Sequence, residues 1–280
     1  MRRMQSSGTV TLIAHRGASA LLPEHTLAAY ARAIEDGADF IEPDLVMTRD
    51  GVLVARHDRD LAASTDIASC AEFAAYAVPR ARGAGTAPGW PCENLGFAQV
   101  QQLRATEPMP SLRGRAHDGR FAVPSFDEIV EFAERASRRV GRLIGVIPEI
   151  KHSTYFHSLG LDPEKALLDA IDRHAYLRTA PFGVQSFEVG NLKRLHEATR
   201  DFPNVFMAQL IADLDHRPAD RKDMCYADML EPVGLADIAR YAQVLAVHTP
   251  RVLPIDPATG APAAPTSLVA EAHAAGLAVY

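Results

Sequence analysis

Three cysteines in 280 residues, Cys70, Cys92 and Cys225, are too few and too irregularly spaced for a zinc site or a disulfide framework. They read as unpaired thiols, with Cys70 and Cys92 the pair open to oxidation in an oxidising compartment. No apolar run reaches the length of a membrane span, so no membrane-spanning role is expected. Positive charge is in short supply: 29 Lys and Arg stand against 35 Asp and Glu, for a net charge of −6. Without a broad cationic field the chain is not expected to bind nucleic acid or an anionic membrane, and any anion site must be local. A secretory apolar region is missing as well, because Met1 to Thr9 leads only into the short strand-like stretch 10–14. The expected placement is cytoplasmic, or periplasmic or secreted if a leader is missing from this sequence.

What is present is ordinary globular composition, 48% hydrophobic and 23% charged, enough for one large domain over 10–280. From Val10 short apolar runs alternate with amphipathic stretches, the pattern of successive β-α units, and a TIM (β/α)8 barrel is the expected α/β architecture. Strands are expected at 10–14, 38–46, 143–150, 182–187, 205–210, 244–247 and 277–280. Helices are expected at 24–36, 125–139, 162–174, 189–199 and 267–275. Asp50-Gly51 marks a tight hairpin ending near His57. Residues 59–124 break the rhythm with many prolines and glycines and read as an inserted subdomain or lid after strand 2. The seventh strand stops at Tyr280, so the sequence reads as a barrel that ends before strand 8, with an open seam.

Chemistry concentrates at strand ends. His15-Arg16-Gly17 follows strand one, combining a proton carrier at neutral pH, a guanidinium that matches phosphate oxygens and a glycine that lets backbone approach a ligand. A surface His-Arg turn is the plainer explanation for those three residues alone. Glu42 and Asp44 stand two apart on one strand face around Pro43, where two carboxylates repel unless a cation lies between them. Oxygen-only ligands point to Mg²⁺ or Ca²⁺. Glu149 and Lys151 repeat the spacing on the next strand, adding a third hard ligand and an ammonium, although a simple Glu-Lys ion pair would account for them equally well. His57-Asp58 ends the hairpin and supplies a second histidine, so that one can take a proton while the other gives one. The remaining histidines, His25 among them, have no comparable context and read as surface, capping or packing residues.

Taken together, His15-Arg16-Gly17-Ala18, Pro23-Glu24-His25-Thr26, Glu42-Pro43-Asp44, Asp50-Gly51, His57-Asp58 and Pro148-Glu149-Ile150-Lys151 resemble the glycerophosphodiester phosphodiesterase family. The segment after His57-Asp58 resembles the insertion of its longer bacterial form, whose members are often periplasmic and use calcium. The resemblance implies a barrel that cleaves small-molecule glycerophosphodiesters to sn-glycerol 3-phosphate and an alcohol. It implies His15 and His57 as the acid-base pair, and Glu42, Asp44 and Glu149 as ligands of one divalent cation, Ca²⁺ or Mg²⁺. It further implies Arg16 and Lys151 as phosphate contacts and Gln185 as a residue of the pocket. In the family mechanism the substrate's glycerol 2-hydroxyl attacks phosphorus, giving a cyclic phosphate that water opens. The rival expectations are a related barrel phospholipase D acting on lysophospholipid or sphingolipid, and a binding barrel or inactive fragment. Phe73, Tyr76, Trp90 and Phe97 of the insertion bear on the lipid rival, which needs an apolar mouth.

Overall fold

A computed structural model of the chain describes residues 10–82 and 85–280. The stretch Met1 to Thr9, read above for a leader, and Gly83 of the insertion lie outside the described residues. The chain forms two compact units, within 9–182 and 183–280.

The first unit opens with β1 (Ile13–His15) and the helix Leu27–Glu35, which Thr26 starts by accepting a hydrogen bond from the Ala29 amide at 3.1 Å. Ala29, Tyr30, Ala33 and Ile34 form its buried stripe, the spacing one helix face imposes. The helix starts later than the expected residue 24 because Pro23, Glu24 and His25 form a turn, in which His25 adopts a left-handed φ of 58°. The expected strand 38–46 is two segments, β2 (Phe40–Glu42) and β3 (Asp44–Met47), since Pro43 has no amide hydrogen for a ladder. β4 (Leu53–Ala55) returns antiparallel to β3 around Asp50-Gly51, where Gly51 takes a φ of +79°.

Residues 59–124 carry short 3-10 turns and an antiparallel hairpin of β5 (Val78–Arg82) and β6 (Gly85–Gly89). Leu61, Ile67, Phe73, Trp90, Leu95 and Leu103 are buried, and the Trp90 ring N–H donates to the Phe73 carbonyl at 2.8 Å. Phe73 and Trp90 therefore pack inside this segment, away from any exposed apolar platform.

Ser125 and Glu128 close a capping box that starts the helix Phe126–Val140. The expected strand 143–150 is again divided at a proline, Pro148, into β7 (Gly145–Val146) and β8 (Glu149–Ile150). An additional short helix, Ser153–Ser158, precedes Pro163–Arg173, which Asp162 caps by accepting from the Lys165 amide at 2.8 Å. Parallel pairing sets His15 opposite Glu42, Ile41 opposite Val146 and Asp44 opposite Glu149. That register brings the chemistry-bearing residues to one level of the sheet, where β1, β2 and β7 end and β3 and β8 begin. β9 (Phe182–Ser186) contributes Phe182 to this unit, opposite Val146.

In the second unit the rest of β9 is followed by β10 (Val205–Leu210), β11 (Val244–Ala246) and β12 (Ala278–Val279). β10 with β11 and β11 with β12 pair in parallel, Ala208 opposite Val244 and Val244 opposite Ala278. The helices Gly190–Ala198 and Leu268–Ala274 lie where periodicity places them. Tyr226–Leu230 and Pro232–Ile238 are additional, each under two turns and too short to print a helical period. Tyr241 donates to Gln209 Oε1 at 2.8 Å, satisfying two polar groups inside the core. Parallel strands joined through helices thus recur in both units, the α/β pattern. The three cysteines are free thiols, and no helix among the described residues is long and apolar enough to cross a membrane.

Candidate active site

The charged residues and histidines singled out by sequence all fall in the first unit, around the break between β2 and β3, whereas Gln185 falls in the second. Glu42, Asp44 and Glu149 are buried, at 2%, 0% and 6% exposure, and one oxygen from each lies within 4.8 Å of the others. Lys151 makes the anticipated ion pair with Glu149, Nζ to Oε2 at 2.7 Å, and a second with Asp44 Oδ1 at 3.1 Å. Arg16 closes the cluster from β1. Its amide donates to Glu42 Oε2 at 2.9 Å, its Nε lies 3.2 Å from Asp44 Oδ2 and its Nη1 reaches Glu24 Oε2 at 3.1 Å. A φ of 60° at Arg16 and the turn at Gly17 bend the chain over the acids. Gly17 is required there, because a Cβ would stand 2.8 Å from the Ala29 carbonyl carbon.

His25 has a part in the site that the sequence does not by itself reveal. Of the surface, capping and packing readings it takes the last and goes beyond it: wholly buried, it places Nε2 2.9 Å from Asp44 Oδ2 and Nδ1 3.1 Å from the Tyr30 hydroxyl. Its place in Pro23-Glu24-His25-Thr26, directly before the cap Thr26, was the available signal. Glu24, 5% exposed, has no signal of its own in the sequence and holds Arg16.

The electrostatics follow from burial. Desolvation, then the charges of Asp44 and Glu149, push Glu42 well above the usual carboxylate range. Burial carries Glu149 up to about 8, against the downward pull of Lys151. Burial alone would raise Asp44 too, but the hydrogen bond and charge of His25, then Lys151 and Arg16, hold it well below the usual range. Desolvation and the adjacent Arg16 lower His15 from the ordinary imidazole value. Three buried acids, two of them resisting ionisation with two cations already beside them, form a donor set suited to a hard divalent cation. Such a cation would be held by Glu42, Asp44 and Glu149.

His15 is exposed at the end of β1, while His57 follows β4 with Nδ1 3.1 Å from Asp58 Oδ1. The Arg56 amide donates to the Asp44 carbonyl at 2.9 Å, so the residue before His57 lies against the strand of the acid cluster, and the hydrogen bond with His57 holds Asp58 below its ordinary value. Gln185 belongs to the second unit, buried, where its side-chain carbonyl accepts from the Tyr280 hydroxyl at 2.5 Å. A further acidic group joins His157 to Glu164 at 2.7 Å and ties the helix Ser153–Ser158 to Pro163–Arg173.

Comparison with known proteins identifies the scaffold. The sequence pattern of the Glycerophosphoryl diester phosphodiesterase family matches residues 15–280. A glycerophosphodiester phosphodiesterase of Haemophilus influenzae is 30% identical over 264 residues, covering 86% of this chain and 70% of that protein. One from Arabidopsis thaliana is 28% identical over 285 residues, covering 96% and 72%. A solved glycerophosphodiester phosphodiesterase from Agrobacterium tumefaciens superposes with a TM-score of 0.58 at 19% identity, over 97% of this chain and 85% of that one. A phosphodiesterase of Oleispira antarctica, solved with its product sn-glycerol-3-phosphate, gives 0.55 at 18% identity, over 98% and 92%. The fold is of the TIM-type α/β barrel class, and the protein is a phosphoric diester hydrolase. It belongs to the glycerophosphoryl diester phosphodiesterase family.

Proposed function

We propose that the chain hydrolyses glycerophosphodiesters to sn-glycerol 3-phosphate and an alcohol in a reaction that depends on one divalent cation, with Ca²⁺ or Mg²⁺ as its natural occupant. The observation that carries this reading is the buried triad Glu42, Asp44 and Glu149, with Lys151 and Arg16 on its rim. The product bound by the Oleispira antarctica phosphodiesterase supports the substrate class.

In this reading Glu42, Asp44 and Glu149 would hold the cation, which would supply neutralisation of charge on the phosphoryl oxygens. Arg16 and Lys151 bind the remaining phosphate charge, the guanidinium as a fork and the ammonium as a point charge. His15 and His57 divide the proton work. One accepts the proton of the glycerol 2-hydroxyl as it attacks phosphorus, and the other gives a proton to the departing alkoxide. The cyclic phosphate so formed is opened by water with the roles reversed. A lowered pKa keeps His15 neutral near pH 7, the form a general base needs.

Release of sn-glycerol 3-phosphate from glycerophosphoglycerol and glycerophosphocholine, in EDTA and after restoring Ca²⁺ or Mg²⁺, tests the reading. Cation-dependent release that is lost in His15→Ala and in His57→Ala supports it. Release that survives both substitutions rejects the acid-base assignment, and release indifferent to EDTA rejects the cation.

A further inference from the structure

Two segments leave the candidate site and meet again beside it. Arg59 lies two residues beyond His57, and Tyr155 four beyond Lys151. The Arg59 guanidinium carbon sits 3.7 Å from the centroid of the Tyr155 ring. Both residues donate to one oxygen of Glu93, Arg59 through Nη1 and the Tyr155 hydroxyl at 2.7 Å. Glu93, from the 59–124 segment, is 8% exposed, while Tyr155 is 37% exposed. The second Glu93 oxygen, Oε2, is buried with no hydrogen-bond partner among the described residues. The turn Cys92–Asn94 that carries Glu93 packs against β3, which begins at Asp44, and this places the cluster beside the candidate site.

An aromatic face with a carboxylate beside it is what recognises an organic cation such as a quaternary ammonium. Here both elements are present and both are engaged by a cation of the chain itself. A trimethylammonium group arriving next to His57 would meet the positive charge of Arg59 in place of a free ring. A hydroxyl group would meet the opposite: the partly exposed guanidinium carries five N–H donors, more than Glu93 engages.

We propose that Arg59, stacked on Tyr155 and paired with Glu93, occupies the cation position of the leaving-alcohol subsite, so that the enzyme selects glycerophosphodiesters of uncharged, hydroxyl-rich alcohols and rejects those of choline. The inference rests on the glycerophosphodiesterase reading above, and makes the 59–124 segment a contributor to head-group choice through Arg59 and Glu93.

The test compares kcat/KM for glycerophosphoglycerol and glycerophosphocholine in the full chain with one cation. The wild type is expected to favour glycerophosphoglycerol. Arg59→Ala uncovers the ring and the carboxylate and is expected to move the ratio toward glycerophosphocholine by about tenfold or more, the scale of a partly desolvated cation-π contact. Arg59→Lys, which keeps the charge, is expected to keep the bias, and Arg59→Ala/Tyr155→Leu to lose the choline gain. If Arg59→Ala does not fold, judged by its melting curve, Arg59→Gln carries the same comparison with a polar uncharged side chain. A wild type that prefers glycerophosphocholine, or a folded Arg59 variant without charge whose ratio is unchanged, overturns the inference. Failure of the folded wild type to cleave either diester overturns the functional reading instead.

Discussion

His25 Nε2 stands 2.9 Å from Asp44 Oδ2, and both side chains are completely buried. Asp44 is held well below the usual carboxylate range and accepts, so His25 donates through Nε2 and its Nδ1 is left to accept from the Tyr30 hydroxyl 3.1 Å away. The chain Tyr30-His25-Asp44 fixes the carboxylate's orientation, as outer partners do around metal ligands. His25→Ala is expected to weaken cation affinity by about 10- to 100-fold. His25→Gln, which can return an N–H to Asp44, is expected to recover part of that. Calorimetric titration of Ca²⁺ into both variants measures it, and equal affinities in wild type and His25→Ala would exclude the positioning role.

Glu42 and Asp44 should respond in opposite senses to neutralisation. Glu42 is pushed up by burial and by its acidic neighbours, so Glu42→Gln relieves repulsion and is expected to raise the melting temperature in EDTA. Asp44→Asn removes the partner of His25, Arg16 and Lys151 and is expected to destabilise the fold by about 3 kcal/mol. Each is expected to lower turnover by about 10²-fold or more. Thermal melts beside steady-state rates separate the two effects, and a common sign for the stability changes would contradict this account.

Glu149 makes stability depend on pH in the direction opposite to most salt-bridged acids. Its folded pKa of about 8 exceeds its ordinary 4.5, so folding favours the protonated form. In EDTA its contribution is fully present below about pH 4.5 and is lost as pH rises through 8. The difference between wild-type and Glu149→Gln melting temperatures across pH 5 to 9 isolates it; a flat difference would contradict the raised pKa. Cation binding near pH 7 is expected to release protons, measurable with an indicator dye in weak buffer.

Gly17→Ala is expected to destabilise the chain by about 1–3 kcal/mol, since it forces a left-handed φ of 83° on a residue whose Cβ meets the Ala29 backbone at 2.8 Å. The melting temperature reads this directly. Activity is expected to fall further than stability explains, because the same turn carries Arg16 over the acids.

Local elements were legible where one chemical signal decides them. Ser125 with Glu128 announced a capping box, and Asp50-Gly51 a hairpin, because both patterns act within four residues. Strand breaks at Pro43 and Pro148 follow from the missing amide hydrogen, although the alternation around them still reads as one strand each. The short helices at 153–158, 226–230 and 232–238 escaped because they complete too few turns to establish a period.

The sequence by itself determined the chemistry available: two histidines, three carboxylates, an arginine and a lysine at the ends of predicted strands, in spacings that already resemble one family. Tertiary structure decided how those groups act on one another. Parallel register puts Asp44 opposite Glu149, and burial then turns three ordinary acids into two that resist ionisation and one that cannot be protonated easily. The parts played by His25, Arg59, Glu93 and Tyr155 belong to the same level. Each depends on a distance between segments far apart in the chain, and neither hydrophobic period nor local motif encodes such a distance.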